Sequence, residues 1–339
     1  MNNTVFPLRS LPANIQLHII KSFYYDQLLS YSFISNKSKQ LVESLNVKVT
    51  AVWVIDENEC GYPELSISIR DDDKGSAGFY IRHTRSLDDV PDSIHINYRH
   101  TWKNTGISFL TLFERIRRLF TTHEYVLSVD RKEELFDTVA FKNLVPRWNE
   151  VIFCNASHDY REKLIKVFYS NVGGFTIGKP FNEPKVPLFP QKIGIQNFET
   201  LTQFDVYQFT LDDALIMNAC NIQKFKLSLK EANRFIKLWM KGSNRRITKM
   251  RIYLNEDLNE ERMLKDIKYH VLPGEEAKRG RRDVRHDQMD DDRENAALVF
   301  EEVLYYRKIG IRDKKGVLAT LEIDNEVRSA CFVTIDVEE

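Results

Sequence analysis

Residues 6–42 read FPLRSLPANIQLHIIKSFYYDQLLSYSFISNKSKQLV and carry the patterns of three short helices. In the first pattern, apolar side chains recur at the spacing of one helical face, at Leu11, Ile15, Ile19 and Ile20. Pro12 suits the first turn of that helix, because a proline lacks the N–H that has no partner there. Asp26 is expected to cap the second helix, and Ser35 or Asn36 the third.

This segment has more apolar surface than it can bury by itself. Helices of two to three turns need tertiary packing to persist, and a unit of about 40 residues has little core of its own. We expect the inward side chains to be Leu28, Leu29, Phe33, Leu41 and Val42. Phe6, Leu8 and Ile34 are then in excess, and excess apolar surface usually contacts a partner. Periodicity alone also allows a helical cap on a larger domain of the same chain.

The segment resembles the F-box, in the form found in the large nematode families. The resemblance is carried by Phe6-Pro7-Leu8, Leu11-Pro12, Ile19-Ile20, Leu28-Leu29-Ser30 and Ser38-Lys39. In that family the three-helix unit docks on the Skp-type adaptor of SCF ubiquitin ligases, and the adaptor connects it to a cullin. The resemblance therefore implies an F-box at residues 1–45, with adaptor contacts at Phe6, Leu8, Leu11, Pro12, Ile15, Ile19, Ile20, Leu28 and Leu29.

Bulk composition argues against several classes of function. Among the 339 residues, 49 are Lys or Arg and 49 are Asp or Glu, so no net charge attracts nucleic acid or an anionic membrane. No apolar run reaches the roughly 18 residues of a membrane-spanning helix, and the N-terminus lacks the pattern of a signal peptide. The four cysteines are widely spaced, which argues against a disulfide framework or a zinc site. We expect a protein of the cytoplasm, the nucleus or both.

Residues 46–142 form a predicted β-rich segment with one helix. Alternating apolar residues predict strands, most clearly at Leu65, Ile67 and Ile69 and again at Ile94, Ile96 and Tyr98. The amphipathic helix is indicated by Phe109, Leu112, Phe113, Ile116 and Phe120, which recur at helical spacing. We expect this helix to lie on a sheet.

Residues 143–270 alternate between short strand and helix patterns. Strand starts recur within the range of leucine-rich repeats but without their consensus ladder, so we predict irregular β–α units in an open curved sheet. Thr210 and Ser228 begin capping signals, and Gly242 suits the left-handed end of a helix. The segments 211–218 and 233–242 resemble the type 2 F-box-associated domain of nematode proteins. In that family the domain follows an F-box and is presumed to hold the ubiquitination target.

The rest of the chain divides into a charged loop and a β-meander. Residues 271–297 are predicted to be a disordered loop, because a basic cluster at 278–285 meets an acidic one at 287–292 and little apolar surface is available. A nuclear-import signal or a nucleic-acid patch is the alternative for this loop. Residues 298–339 alternate as strands, with Gly316 in a hairpin connection where a positive φ is expected.

Three motifs resemble catalytic or binding signatures without completing them. Residues 173–179 fit G-x-x-x-x-G-K, but Pro180 replaces the Ser or Thr whose hydroxyl would bind magnesium. The run 71–73 of aspartates lacks the spacing of an EF-hand. His158-Asp159 has no nucleophile motif nearby. We therefore predict no catalytic, cofactor-binding or metal-binding residues.

Together these patterns predict an α+β protein that is not an enzyme. The leading interpretation is the substrate-recognition subunit of an SCF-type ubiquitin ligase, with a Skp-type adaptor at the N-terminal helices and an unknown protein target on the downstream domain. The alternative is an F-box-like interaction scaffold without ubiquitin transfer. The sequence leaves open the target, the surface that binds it and the oligomeric state.

Overall fold

The computed structural model describes residues 8–59, 62–71, 75–82, 86–97, 100–103, 106–132, 134, 136–178, 194–203, 208–254, 256, 258–272, 306–325 and 331–337. The chain divides into two compact units, Met1–Glu183 and Pro184–Glu339. The division falls inside the segment 143–270 that the sequence analysis treats as one domain. Both units combine helices with a mixed sheet, which is consistent with the α+β prediction.

Unit 1 begins with a 3-10 turn and a cluster of three helices. These elements are the turn Leu8–Ser10, α1 (Ala13–Ile20), α2 (Tyr25–Ile34) and α3 (Asn36–Ser44). Three further helices of unit 1 are α4 (Phe109–Leu119), α5 (Thr138–Asn143) and α6 (His158–Phe168). Its strands are β1 (Val47–Lys48), β2 (Ala51–Glu59), β3 (Tyr62–Asp71), β4 (Gly75–Arg82), β5 (Ser93–Ile96), β6 (His100–Lys103), β7 (Phe120–Thr121), β8 (Glu124–Asp130), β9 (Trp148–Phe153) and β10 (Val172–Ile177).

The main sheet of unit 1 runs in the order β10-β9-β8-β2-β3-β4-β5-β6. Strands β2, β8, β9 and β10 are parallel neighbours, whereas β2 to β6 form an antiparallel meander. Helices α5 and α6 connect the parallel strands β8, β9 and β10, because parallel strands need long crossovers. A separate parallel pair joins β1 to β7, with Val47 opposite Phe120.

Helix α4 confirms the amphipathic pattern read from the sequence. Its apolar positions are all buried, at Phe109, Leu112, Phe113, Ile116 and Leu119. The helix begins after Ser108, whose hydroxyl accepts a hydrogen bond from the Thr111 N–H at 3.2 Å. It ends one residue earlier than the pattern suggested, since Phe120 is the first residue of β7.

Unit 2 has three helices among its described residues, α7 (Leu211–Ile216), α8 (Leu229–Met240) and α9 (Glu260–Met263). Its strands are β11 (Thr200–Gln203), β12 (Asn221–Leu227), β13 (Lys249–Leu254), β14 (Tyr269–Val271), β15 (Tyr306–Arg312), β16 (Leu318–Asn325) and β17 (Cys331–Val337). The sheet runs β14-β15-β16-β17-β13-β12-β11. Strands β11, β12 and β13 are parallel, and the rest are antiparallel.

The local signals of unit 2 are confirmed. Thr210 and Ser228 each form a complete capping box, the first with Asp213 and the second with Glu231. Gly242 follows α8 at φ +94°, the left-handed conformation expected of it, and Gly316 lies between β15 and β16 at φ +88°. The predicted C-terminal meander is present as β15, β16 and β17. Its inward residues are Ile309, Ile311, Ala319, Leu321, Ile323 and Ile335, all buried.

Two local predictions are wrong. Asp26 does not cap α2; the helix begins after Tyr24, and the Gln27 side chain accepts the Tyr24 N–H at 3.0 Å. The apolar pattern of residues 192–195 predicts a further strand of the β–α segment, but Gly194 and Ile195 are not in a strand, and the other two residues lie outside the described part. The charged segment 273–305 also lies outside the described residues.

Candidate functional site

The start of α1 is built around a proline and a buried glutamine. The Pro12 carbonyl accepts hydrogen bonds from the N–H groups of Ile15 and Gln16, both at 3.0 Å, so Pro12 stands just before the helix and not inside it. Gln16 is buried, and its amide donates to the Leu11 carbonyl at 2.6 Å. Its side-chain oxygen accepts from the Tyr31 hydroxyl at 3.3 Å, which connects α1 to α2. Gln16 therefore fixes the angle at which the N-terminal arm enters the helix cluster.

The predicted adaptor-binding residues separate into a buried and an accessible group. Ile20, Leu28 and Leu29 are each at most 3% exposed, and they form the core of the helix cluster. The accessible group, which we name the apolar ridge, comprises Leu8, Leu11, Pro12, Ile15 and Ile19. Phe6 lies outside the described residues.

The apolar ridge follows from helical spacing combined with packing. Ile15 and Ile19 are four residues apart and so share one side of α1, whereas Gln16 and Ile20 face the core. Leu11 lies before the helix, next to Pro12 in sequence. Ile15 is 43% exposed, and Pro12 is exposed beside it in sequence. Leu8, Leu11 and Ile19 are half-buried, so the most accessible aliphatic side chain of the ridge is that of Ile15.

The other side of the helix cluster is fixed to the body of unit 1. Tyr25 packs edge-on against Phe120, with ring centroids 5.6 Å apart, and its hydroxyl donates to the Asp71 carboxylate. Arg115 of α4 lies over the Phe33 ring at 4.9 Å. The cluster therefore caps the sheet and also carries the apolar ridge. The two interpretations that periodicity allows, a helical cap and a surface for a partner, are compatible.

Sequence patterns alone do not point to Gln16, Tyr25 or Tyr31 as residues that hold the helix cluster together. A glutamine four residues before Ile20 is a local signal of a buried hydrogen bond, because it interrupts an otherwise apolar face. The role of Tyr25 has no such local signal. Its partners Asp71 and Phe120 are 46 and 95 positions away, so only the fold brings them together.

In unit 2, helix α8 packs on the sheet, and two asparagine side chains form hydrogen bonds to neighbouring segments. Helix α8 packs on β12 and β13 through Phe235, Ile236 and Trp239, all buried. Asn233 on the same helix donates to the Met263 carbonyl at 2.6 Å, and Asn244 donates to the Ala214 carbonyl at 2.7 Å. These side-chain amides connect segments in or next to neighbouring helices of unit 2.

Part of this β–α segment matches the model of a known protein family. Residues 189–252 match the family model described as F-box associated. The matched residues include α7, β12, α8 and most of β13, so the F-box-associated segment contains both stretches on which the sequence resemblance rested. No curated protein and no protein of solved structure matches the chain.

The glycine motif that resembled a nucleotide-binding loop has a structural role. Gly173 and Gly174 lie inside β10, where both are buried, and so do not form a phosphate-binding loop. Gly178 comes directly after the strand. A larger residue would collide with the neighbouring backbone there, because a Cβ atom would lie 2.6 Å from the Cys154 Cα. Within the described ranges there is no cluster of His, Cys, Asp or Glu suited to a metal ion, and no helix long and apolar enough to cross a bilayer.

Asp56 of β2 and Arg131 after β8 form a buried ion pair in unit 1. Burial raises the pKa of Asp56 from 3.8 to about 6, and the Arg131 guanidinium opposes this shift without cancelling it. Arg131 also donates to the Glu64 carbonyl at 3.3 Å. Burial likewise raises the pKa of the Tyr160 hydroxyl, with a smaller contribution from the Asp56 charge. This pair lies in the core, and its expected effect is on stability.

Proposed function

We propose that this protein is the substrate-recognition subunit of an SCF-type ubiquitin ligase. The apolar ridge would bind a Skp-type adaptor, and the F-box-associated segment would help to hold a target protein. The observation that carries the proposal is the combination, in one chain, of a three-helix cluster with an exposed apolar ridge and a segment that matches the F-box-associated family.

The burial pattern supports a contact through the ridge and not through the whole motif. Ile20, Leu28 and Leu29 are packed in the core, so their part in adaptor binding is to shape the cluster. Ile15 has 43% of its surface exposed, and burying that fraction of an aliphatic side chain contributes about 1 kcal/mol, or roughly fivefold in affinity. The half-buried members of the ridge, Leu8, Leu11 and Ile19, would each add a smaller contribution.

The proposed mechanism is proximity. The protein itself performs no bond-making step; it holds a lysine of the target close to the charged ubiquitin carrier and so raises the local concentration of the reacting groups. A rigid connection between the adaptor surface and the rest of the chain favours this role. In unit 1 that connection is provided by the contacts of Tyr25 with Phe120 and Asp71.

The test is co-purification of the full chain with a Skp-type adaptor, comparing the wild type with Ile15→Asp. A carboxylate in an apolar contact costs at least about 1.4 kcal/mol, so we expect recovery of the adaptor to fall by tenfold or more. The matched control is Val139→Asp on α5, because Val139 is also aliphatic and is 48% exposed. Circular dichroism should show that both variants remain folded.

The outcomes separate the proposals. Equal adaptor recovery by the wild type, the Ile15 variant and the Val139 variant would contradict binding through the apolar ridge. A second outcome is that the adaptor is recovered without a cullin and that no ubiquitinated protein forms. This outcome would favour the scaffold without ubiquitin transfer. Recovery of both, lost only in the Ile15 variant, is the expected result.

A further inference from the structure

A cleft opens in unit 1 beside the turn between α1 and α2. We name it the turn cleft; it has a volume of about 660 Å³ and is lined chiefly by Lys21, Phe23, Tyr24, Leu45, Lys48 and Asp71. One wall is the α1–α2 turn, and the other is the connection from α3 into β1. The volume lies in the range of sites that hold a small ligand or a few residues of a peptide.

The second wall is preformed by local backbone structure. Asn46 adopts a left-handed conformation with φ +47°, and its side-chain oxygen accepts the Thr121 hydroxyl at 3.0 Å. This turn places Val47 opposite Phe120 in the β1–β7 pair. A wall fixed in this way loses little conformational entropy when a ligand binds.

Aromatic groups on the first wall are available for contact. Tyr24 is 74% exposed, which is unusual for so large a side chain at a turn. Phe23 beside it is half-buried and packs edge-on against Tyr31 at 6.1 Å, so it is held in place. A rigid aromatic surface next to an exposed tyrosine is typical of the apolar centre of a binding site.

The charges at the rim of the cleft are mostly positive and unpaired. Lys21 and Lys48 are exposed, and neither forms an ion pair with another described residue. The carboxylate of Asp71 accepts a hydrogen bond from the Tyr25 hydroxyl at the inner side of the cleft. The two ammonium groups outnumber the one carboxylate among the lining residues, so the cleft is net positive and favours a ligand that carries carboxylates.

We propose that the turn cleft binds a short extended segment of a partner protein in which a bulky apolar side chain is flanked by aspartate or glutamate. The apolar side chain would contact Phe23 and Tyr24, and the flanking carboxylates would pair with Lys21 and Lys48. This site uses none of the residues of the apolar ridge.

The test measures fluorescence polarisation of labelled peptide pools with the full chain. The acidic pool has a central phenylalanine flanked by Asp or Glu, and the neutral pool has Asn or Gln in the same places. We expect the acidic pool to bind at least about tenfold more tightly and to weaken as salt is added. Lys21→Gln combined with Lys48→Gln should remove the difference between the pools, and Tyr24→Ala should weaken both.

The matched control is Lys37→Gln combined with Lys166→Gln, which changes the net charge equally at exposed lysines outside the cleft. The control should bind the acidic pool as the wild type does. Equal binding of both pools, binding of neither, or equal weakening in the control and the cleft variant would overturn the proposal. Light scattering that shows a dimer, converted to monomer by the cleft variant, would assign the cleft to a second copy of the chain instead.

Discussion

Replacing Asp56 with asparagine tests whether burial or the neighbouring guanidinium decides the charge state of that carboxyl. Its pKa in the folded protein is about 6, against 3.8 ordinarily. The folded state therefore holds the proton more tightly than the unfolded state does. The contribution of Asp56 to stability is complete below pH 3.8 and is lost as the pH rises through about 6.

The magnitude follows from the size of the shift. A shift of about two pKa units at roughly 1.4 kcal/mol each corresponds to about 3 kcal/mol. Asp56→Asn has no proton to lose in this interval. We therefore expect the free energy of unfolding of the variant, minus that of the wild type, to increase by about 2.4 kcal/mol between pH 4 and pH 7, because the unfolded carboxyl is already partly ionised at pH 4. Groups common to both proteins cancel in this difference.

The assay is urea denaturation at both pH values, together with hydrogen exchange of peptides from β2 and β8 to isolate unit 1. Arg131→Met is the companion variant, because it removes the charge that opposes the shift and should extend the loss of stability above pH 6. A difference that decreases between pH 4 and pH 7 would refute the reasoning. It would mean that the ion pair with Arg131 outweighs desolvation.

Three further predictions concern packing and local structure. Leu29→Ala should lower the stability of unit 1 by about 2 to 5 kcal/mol, because the side chain is fully buried, whereas Ile15→Ala should change it by less than about 0.5 kcal/mol; thermal unfolding of the two variants checks the contrast. Ser228→Ala should cost about 1 kcal/mol through loss of the hydrogen bond to the Glu231 N–H, as measured by urea denaturation, and Ser228→Asp should restore most of it. Gly178→Ala should destabilise unit 1 by about 1 to 3 kcal/mol, because the new Cβ would meet the Cys154 backbone, and hydrogen exchange at the end of β9 should increase; unchanged exchange would contradict that contact.

Much of the candidate site was predictable, because its helices are specified by neighbouring residues. The periodicity around Leu11 and Ile15, and the hydroxyl of Ser35 that accepts the Ser38 N–H at 3.1 Å, act within one turn of helix. The capping box at Ser228 is equally local. What could not be predicted was which apolar residues of the motif stay accessible, since that depends on what the helices pack against.

By itself, the sequence determined most of the local elements of this protein: the helix caps at Ser35, Thr210 and Ser228, the C-terminal meander, and the positive φ of Gly242 and Gly316. These features depend on side chains within about four positions of one another. Tertiary structure alone decided that Ile20 is buried while Ile15 is exposed, and that Asp56 meets Arg131 across 75 positions. Burial and charge pairing arise from contacts between distant segments, and no short-range pattern encodes them.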